Sequence, residues 1–350
     1  MKKALEIQQK LDLVLFENHN KLDTPGLFKG KMGVCIYLFE SYQQNNEPKY
    51  LQAAENTLQE LYTFIHQNPV PTYFENGLAG IAWGIHHLIK NGSLKGDADE
   101  LLEHIDNILF KVISDKSEEI EFGLKRGLLG YLLYILDRLA ELFDTRGFHI
   151  SKELFTSMGI LLVNRIHLLV GSNSASFTEP NGFYLFWDLP NYLYLLAEAF
   201  KIGLIPNKIK RMIKEITPLV LSTLPQNPGN SLNLYLSIKR LSVAEWENHA
   251  RILLNHVIEA PLSSFKLRNK SLYVENGLAG LVLLDAQVKE QISNYVSIFR
   301  NRDNRRAAFH HFQSSEYWTY LSSNPDHETG FLYGISGISF SLLHLLKENP

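Results

Sequence analysis

Hydrophobic positions in this chain fall into runs of helical length, and few of them alternate with the period of two that a half-buried strand requires. Some runs are almost continuously apolar, such as "GIAWGIHHLI" (80–89) and "GYLLYILDRL" (130–139). Others carry apolar residues on one side only, such as "YLQAAENTLQELYTFIHQ" (50–67). A helix covered on nearly all sides is apolar all round, whereas a surface helix has one apolar stripe. The pattern therefore predicts an all-α protein that alternates inner and outer helices.

An eight-residue phrase with glycines at its fifth and eighth places comes before the inner runs. Clear copies cover 26–33, 73–80, 123–130, 273–280 and 330–337, and "YFENGLAG" at 73 nearly repeats as "YVENGLAG" at 273. A worn copy, "YLFWDLPN", covers 184–191, where Asp188 and Asn191 replace the glycines. Glycine permits positive φ and close backbone approach where a chain turns into a helix. These six segments are called the frames below.

Six frames, each followed by an inner run, predict six helix-loop-helix hairpins. Closed into a ring, they form an (α/α)6 double barrel of six inner and six outer helices. The interval between the fourth and fifth frames is the longest and leaves room for an extra excursion. In a six-fold ring the second and fifth frames face each other, which accounts for their similarity. An open helical solenoid is the alternative. Residues 1–350 are expected to form a single domain.

Composition narrows the class of protein. The chain has 350 residues, 45% of them hydrophobic and 20% charged, which is usual for a soluble globular protein. Its net charge of −3 gives no sign of nucleic-acid binding. The one cysteine, Cys35, excludes an internal disulfide and a cysteine metal cluster. No apolar stretch reaches the ~18 residues of a membrane span, and residues 1–20 are typical of an amphipathic helix rather than a signal peptide. We expect a cytoplasmic protein.

The frames and their spacing resemble the lanthionine synthetase C-like family over nearly the whole chain. The resemblance implies a double α-barrel, and its peptide cyclases bind one zinc at the barrel mouth through two cysteines and one histidine. The fourth frame of the family carries Trp-Cys-Tyr-Gly-Asp-Pro-Gly, where this chain reads "LFWDLPN" (185–191). The fifth carries Cys-His-Gly, where this chain reads "ENG" (275–277). The three ligand positions therefore hold Phe186, Glu275 and Asn276.

The replaced ligands change the expected chemistry. Zinc in proteins is held by cysteine sulfur, histidine nitrogen or carboxylate oxygen in a near-tetrahedral set, and a phenyl ring, one carboxylate and one amide do not supply it. Without the metal, the activation of a peptide thiol to a thiolate is lost. We expect no metal and no cofactor, and a pseudoenzyme that binds a peptide or protein partner in a lanthipeptide-like modification pathway. The alternative is a metal-independent enzyme acting on a modified peptide or on a carbohydrate.

The third and fourth places of the frames are where the family carries its site, so the candidate binding residues lie there. An aromatic ring among carboxylates suits a peptide with basic or apolar side chains. The alternative is that the asparagines only cap helices and the glutamates only complement helix dipoles. The candidate binding residues are Glu75, Asn76, Phe186, Trp187, Glu275, Asn276 and Tyr333.

Candidates for catalysis are few. Glu75 and Glu275 could act as paired acids on a glycan if their carboxyl groups lie ~5–10 Å apart. His327, in "PDHETG" (325–330), is the best single residue for proton transfer at neutral pH, unless it is simply a polar loop residue. The histidine doublets at 86–87 and 310–311 are poor chelates, because neighbouring residues on a helix point ~100° apart.

A polar residue interrupts each inner run seven positions after the last place of the frame. Seven residues make two helical turns, so this residue shares a face with the end of the frame. The six residues form a ring that lies either deep in the barrel lumen or where the inner helices emerge into solvent at the far end. They are Glu40, His87, Asp137, Glu198, Gln287 and His344.

Overall fold

The structure is a computed structural model that describes residues 2–19, 22–144, 150–172, 177–267, 271–314 and 329–347. Within these ranges the chain forms fourteen α-helices joined by turns and short 3-10 segments. The helices are α1 (Lys2–Asn18), α2 (Lys31–Asn45), α3 (Pro48–Gln67), α4 (Leu78–Lys90), α5 (Ala98–Lys116), α6 (Leu128–Asp144), α7 (Ile150–Gly171), α8 (Asp188–Lys201), α9 (Pro206–Ser222), α10 (Pro228–Leu241), α11 (Glu247–Ile258), α12 (Leu278–Gln291), α13 (Arg302–Ser314) and α14 (Ile335–Lys347).

The even-numbered helices form a closed inner ring. Each of α2, α4, α6, α8, α10, α12 and α14 packs against the next, and α14 packs back on α2. The odd-numbered helices lie outside them: α3 packs on α2, α5 on α4, α7 on α6, α9 on α8 and α11 on α10, while α1 packs on α14. The predicted all-α double barrel is confirmed. Among the described residues the ring has seven inner helices, whereas the six frames predicted six.

The additional hairpin, α9 and α10, fills the long interval between the fourth and fifth frames. The sequence of α10, "PGNSLNLYLSIKRL", has no glycine frame before it and no continuous apolar run. Its polar residues Asn230, Ser231, Asn233 and Ser237 are nonetheless buried. Asn230 is satisfied in the interior, since its amide donates to Glu179 and to the Gly182 carbonyl and accepts from the Tyr184 N–H. Buried hydrogen bonds thus compensate for the polar composition of an inner helix.

Helices formed by continuously apolar runs are buried on nearly all sides, whereas helices with apolar residues on one side only are buried along one stripe. In α2 every residue from 31 to 39 is buried, as expected for a helix surrounded by neighbours. In α9 the buried residues are spaced by three and four positions, at Ile209, Met212, Ile216 and Val220. This is the single stripe of an outer helix, whose other side faces solvent.

Glycine is required where a frame loop folds back on the start of its inner helix. A Cβ atom at Gly80 would lie 1.9 Å from the carbonyl oxygen of Phe74, and one at Gly280 would lie 1.8 Å from that of Val274. No side chain fits such gaps, so the eighth frame place is glycine for steric reasons. The worn fourth frame still leads into an inner helix, α8, with Pro190 in the first turn, where a missing N–H breaks no helical bond.

One described helix passes a length-and-composition test for a membrane span, over Ser151–Gly171. One such helix is weak evidence, and this segment lies in α7, which packs against α5 and α6 in the outer layer. The expectation that no apolar stretch reaches the length of a membrane span did not foresee this helix.

Candidate functional site

The frame loops meet at one end of the barrel, called the mouth here, where they are joined by backbone hydrogen bonds. These bonds run from loop to loop rather than within one loop, so they hold distant parts of the chain in one rim. They are Glu75 N–H to the Lys125 carbonyl (2.7 Å), Phe28 to Glu75 (2.9 Å), Leu332 to Phe28 (2.7 Å), Val274 to Leu332 (3.0 Å) and Leu185 to Glu275 (2.9 Å).

Three charged side chains from the third frame place converge at the mouth. The ammonium nitrogen of Lys125 lies 2.5 Å from Glu275 Oε1 and 4.0 Å from Glu75 Oε1. The two carboxylates are buried, with exposed fractions of 2% for Glu75 and 7% for Glu275. A single ammonium group therefore stands between two carboxylates from distant parts of the chain, and we call these three residues the mouth cluster.

Two further cations flank the mouth cluster. Arg126 Nε donates to Glu75 Oε2 at 2.9 Å, and Lys29 Nζ lies 3.9 Å from Glu75 Oε1. Their side chains are far more accessible than the carboxylates, with exposed fractions of 62% for Arg126 and 49% for Lys29. The carboxylates are thus turned inward and the cations outward, and the solvent-facing charge of the mouth is positive.

Aromatic rings surround the central ammonium group. Lys125 Nζ lies 5.8 Å from the ring centre of Phe186 and 6.0 Å from that of Tyr333, and it lies 3.4 Å from the Tyr333 hydroxyl. Burial disfavours the charge of Lys125, but its hydrogen bond and ion pair with Glu275 outweigh burial and raise the pKa of Lys125. Burial and the same carboxylate raise the pKa of Tyr333. Lys125 is therefore a cation and Tyr333 a neutral phenol at neutral pH.

The two asparagines of the repeated phrase differ in their bonding. Asn76 Oδ1 accepts a hydrogen bond from the Lys29 N–H at 3.0 Å, which ties the second frame to the first. The equivalent oxygen of Asn276 is buried and has no hydrogen-bond partner among the described residues. Neither asparagine is the N-cap residue of its following helix, because Gly77 and Gly277 hold that position in α4 and α12. Asn276 therefore differs from Asn76 in holding a buried acceptor that no described residue satisfies.

Trp187 does not lie on the mouth surface, which corrects its place in the predicted binding set. Its exposed fraction is 2%, and its indole N–H donates to the Phe177 carbonyl at 3.1 Å. The fourth frame lacks the glycines that keep the other loops tight, and α8 begins at Asp188, directly after Trp187. The large ring fills the core beneath this loop instead of facing a ligand.

The other predicted groups do not form a catalytic centre among the described residues. His327 lies outside them, with Asp326 and Glu328. Within the polar ring, His87 and Gln287 line the lumen, whereas Glu198 pairs with Arg240. The remaining ring residues have separate contacts: Asp137 with His86 and Lys90, Glu40 with Asn91, and His344 with Phe340.

The residues at the three family ligand positions do not fit zinc. Glu275 is already engaged by Lys125, Phe186 has no donor atom, and Asn276 offers only an amide oxygen, a poor ligand for zinc. Within the described part of the chain, no group of three or more histidine, cysteine, aspartate or glutamate side chains could hold a metal ion. The positive charge beside Glu275 and Phe186 comes from the ammonium group of Lys125.

Sequence reasoning missed Lys125, Arg126 and Lys29, although a signal was present. Lys125 occupies the third place of the frame "GLKRGLLG", the same place as Glu75 and Glu275 in their frames. Because equivalent frame places meet at the mouth, opposite charges at that place were a sign of an ion pair.

Below the mouth cluster the inner helices enclose a cavity of about 400 Å³. Phe28, Phe74 and Phe186 form its upper wall, with ring centres 5.9 Å apart for Phe28 and Phe74 and 5.1 Å apart for Phe28 and Phe186. Phe186 therefore touches both compartments, since it lines the cavity and also contacts the ammonium of Lys125.

Comparison with known proteins agrees with this architecture. Residues 22–184 match the family model described as lanthionine synthetase C-like protein. No curated protein sequence matches the chain. Eight solved chains match it, among them a nisin cyclase with a TM-score of 0.64 and 18% sequence identity, over 99% of this chain and 94% of that chain. At this identity the match shows a common fold.

Proposed function

We propose that the chain is a member of the lanthionine synthetase C-like family, whose model matches residues 22–184, and that its barrel mouth binds a peptide or protein partner without using zinc. The setting we propose is a peptide-modification pathway of the lanthipeptide type, in the cytoplasm, with residues 1–350 acting as one domain. Family membership supports a role related to such modification. The particular role of this chain is argued from its own mouth residues.

The observation that carries the proposal is the position of Lys125. Its ammonium group lies between Glu275 and Glu75, beside the Phe186 ring that stands at a family ligand position. A metal ion can polarise a bound group and lower the pKa of a thiol. A protonated lysine supplies a charge and hydrogen-bond donors only, so it can hold an anionic or polar group but cannot coordinate a thiolate. Binding is therefore the function that this arrangement supports best.

The charges of the mouth indicate the kind of peptide. Both carboxylates are buried and paired, whereas Lys29 and Arg126 are exposed. A basic peptide would meet exposed cations before it reached any carboxylate. An acidic segment or a terminal carboxylate would instead meet two accessible cations. We therefore propose an acidic peptide, in place of the peptide with basic or apolar side chains that the sequence suggested.

The carbohydrate alternative is disfavoured by the same geometry. One ammonium reaches both Glu75 and Glu275, so their oxygens are separated by at most the sum of its two distances, 2.5 and 4.0 Å. The largest possible separation of the two carboxylate oxygens therefore falls within the ~5–10 Å between the paired carboxyl groups of glycoside hydrolases. The space between the two acids, however, is occupied by Lys125, where the scissile bond would have to lie. A metal-independent enzyme acting on a modified peptide remains the second candidate, because it would use the same peptide site.

The test compares two peptides of opposite charge. Fluorescence anisotropy would measure binding of a labelled decapeptide of alternating Glu and Leu and of its Lys-Leu counterpart. We expect the acidic peptide to bind more tightly, with an affinity that falls as salt rises. Lys29→Ser with Arg126→Ser should weaken its binding by about tenfold or more. Lys210→Ser with Arg211→Ser, which removes the same charge from the outer helix α9, is the matched control.

Three results would separate the alternatives. Equal loss in the control variant would mean that net charge rather than the mouth binds the peptide. Tighter binding of the Lys-Leu peptide would overturn the assignment of acidic partners. Turnover of a dehydrated, thiol-bearing peptide by metal-free protein would favour the enzyme alternative instead.

A further inference from the structure

The cavity below the mouth is built from one repeated position of the inner helices. Six of the seven inner helices line the cavity with the residue that lies three places after the end of their frame. The seventh, α10, lines it with Leu236. The six residues are Ile36, Trp83, Leu133, Tyr194, Leu283 and Phe340. The cavity is thus a regular feature of the barrel, and its wall is apolar and rich in aromatic rings.

No aspartate, glutamate, lysine or arginine is found among the described residues that line this cavity. Its two titratable residues are His87 and Tyr194. Burial lowers the pKa of His87 below its usual value and raises that of Tyr194. The imidazole and the phenol are therefore both neutral at neutral pH. Since burying an unpaired charge is costly, such a cavity selects against charged ligands.

Besides His87 and Gln287, the cavity wall carries polar groups from α8 and α10. Asn233 donates to the Leu185 carbonyl at 3.1 Å, and Ser237 donates to the Asn233 carbonyl at 3.1 Å, so both have partners. Asn191 also lines the cavity, and its amide nitrogen is buried without an acceptor among the described residues. A buried donor without an acceptor costs about 1–3 kcal/mol. An acceptor on a molecule in the cavity would remove that cost.

The size and the position of the cavity suit a small molecule. A cavity of about 150 Å³ with apolar walls is enough to take up benzene. The volume here is about 400 Å³, which leaves room for a fused-ring or branched molecule. The half-buried Phe186 lines the cavity and also contacts the Lys125 ammonium group, so the cavity lies directly beside the mouth.

We propose that the lumen is a second binding site, separate from the mouth, for a neutral and mostly apolar small molecule that carries one hydrogen-bond acceptor. The aromatic wall packs against the apolar body of the ligand, and Asn191 donates to its carbonyl or hydroxyl oxygen. This site does not depend on the proposed peptide at the mouth, because none of the mouth cations lines the cavity.

The test uses a pair of naphthalene dyes that differ in charge. Prodan is neutral and has one ketone acceptor, and its emission shifts to the blue in an apolar site. The related 6-dimethylamino-2-naphthoate keeps the ring system but carries a carboxylate. We expect saturable binding of prodan with a blue shift, and affinity for the carboxylate lower by about a hundredfold or more, since it would have to bury its charge. Equal binding of the two dyes would overturn the proposal.

Variants locate the dye within the protein. Leu133→Trp places a large ring at the register position where α4 already carries Trp83, so it fills the cavity with a side chain that the fold accepts elsewhere. It should weaken prodan by about tenfold or more. Leu168→Trp, on the outer surface with an exposed fraction of 64%, is the control and should leave binding unchanged. If Leu133→Trp binds prodan as well as the parent protein does, the dye lies elsewhere.

The hydrogen bond is tested separately. Asn191→Ala removes the donor with a small change in volume and should weaken prodan about three- to tenfold, without affecting an apolar naphthalene that lacks an acceptor. The mouth variant with Lys29→Ser and Arg126→Ser should bind prodan normally. Failure of the lumen site and failure of the peptide site can therefore be told apart. Loss of prodan in the mouth variant would contradict two separate sites.

Discussion

The ammonium group of Lys125 lies 2.5 Å from a carboxylate oxygen of Glu275, a residue 150 positions further along the chain. The frames of these residues lead into α6 and α12, which are not neighbours in the inner ring, since α8 and α10 stand between them. The pair therefore spans the mouth rather than joining adjacent loops. It links the third frame to the fifth frame, which is the second copy of the repeated phrase.

Removing the cation alone should be more harmful than removing the whole pair. Lys125→Met leaves the Glu275 carboxylate, only 7% exposed, without its nearest cation. We expect a loss of about 2–3 kcal/mol in the free energy of unfolding, less than for a fully buried pair because the lysine reaches solvent. In the double variant Lys125→Met with Glu275→Met, most of that loss should be recovered. Urea titrations of the parent, the two single variants Lys125→Met and Glu275→Met, and the double variant would measure the coupling, and additive losses would show that the two side chains act independently.

The two asparagines of the repeated phrase provide a matched pair. Asn76→Ala breaks the bond to the Lys29 N–H and should cost about 1 kcal/mol, since it also leaves a backbone donor without its acceptor. Asn276→Ala removes an oxygen that has no partner among the described residues, and it should be nearly neutral. Thermal melts of both variants would test this. A larger loss for Asn276→Ala would mean that its oxygen has a structural role.

The barrel was predictable from the sequence because the frames mark the entry to each inner helix. The hairpin of α9 and α10 was not, because the periodic signal fails there. Its inner helix is buried through Asn230, Asn233 and Ser237, whose hydrogen bonds compensate for their polarity. A rule that equates burial with apolar residues misses such a helix, although the long interval between two frames left room for it.

The site was predictable only in part, because frame places determine position but not burial. Glu75, Glu275 and Phe186 do meet at the mouth, as their shared place in the frames implies. Trp187, one place further on, is buried instead, because the worn fourth frame begins its helix directly after it. The exposure of the side chain at the fourth place of a frame depends on which other loop packs over it. The sequence of the frame alone does not show which loop that is.

Substitution of Trp187 should therefore reduce stability rather than partner binding. Trp187→Ala removes a buried ring and its bond to Phe177, at a cost of about 3–5 kcal/mol. Tyr62→Ala, at an exposed aromatic of α3, should change stability by less than about 0.5 kcal/mol. Denaturant unfolding would measure both. A Trp187→Ala variant that unfolds like the parent protein but no longer captures the acidic peptide would restore Trp187 to the binding surface.

Asp188 should make stability depend on pH in the opposite sense to a salt-bridged carboxylate. Burial raises the pKa of the Asp188 carboxyl to about 6, above its ordinary value of 3.8. Between these two pH values the folded protein binds more protons at this site than the unfolded chain does. The contribution of Asp188 to stability therefore falls as pH rises from about 4 to about 6, and the cost of burying its charge is complete above pH 6.

Asp188→Asn removes that cost and should stabilise the protein at pH 7.5 by about 1–2 kcal/mol, with little effect at pH 4. The gain is smaller than the full shift would give, because a carboxylate in the first turn of α8 interacts favourably with the helix dipole. Asp303→Asn is a suitable control, since Asp303 lies in the first turn of α13 but is exposed. Unfolding free energies at the two pH values would decide the matter. If Asp188→Asn destabilises the protein at pH 7.5, the carboxylate makes favourable contacts that outweigh its burial.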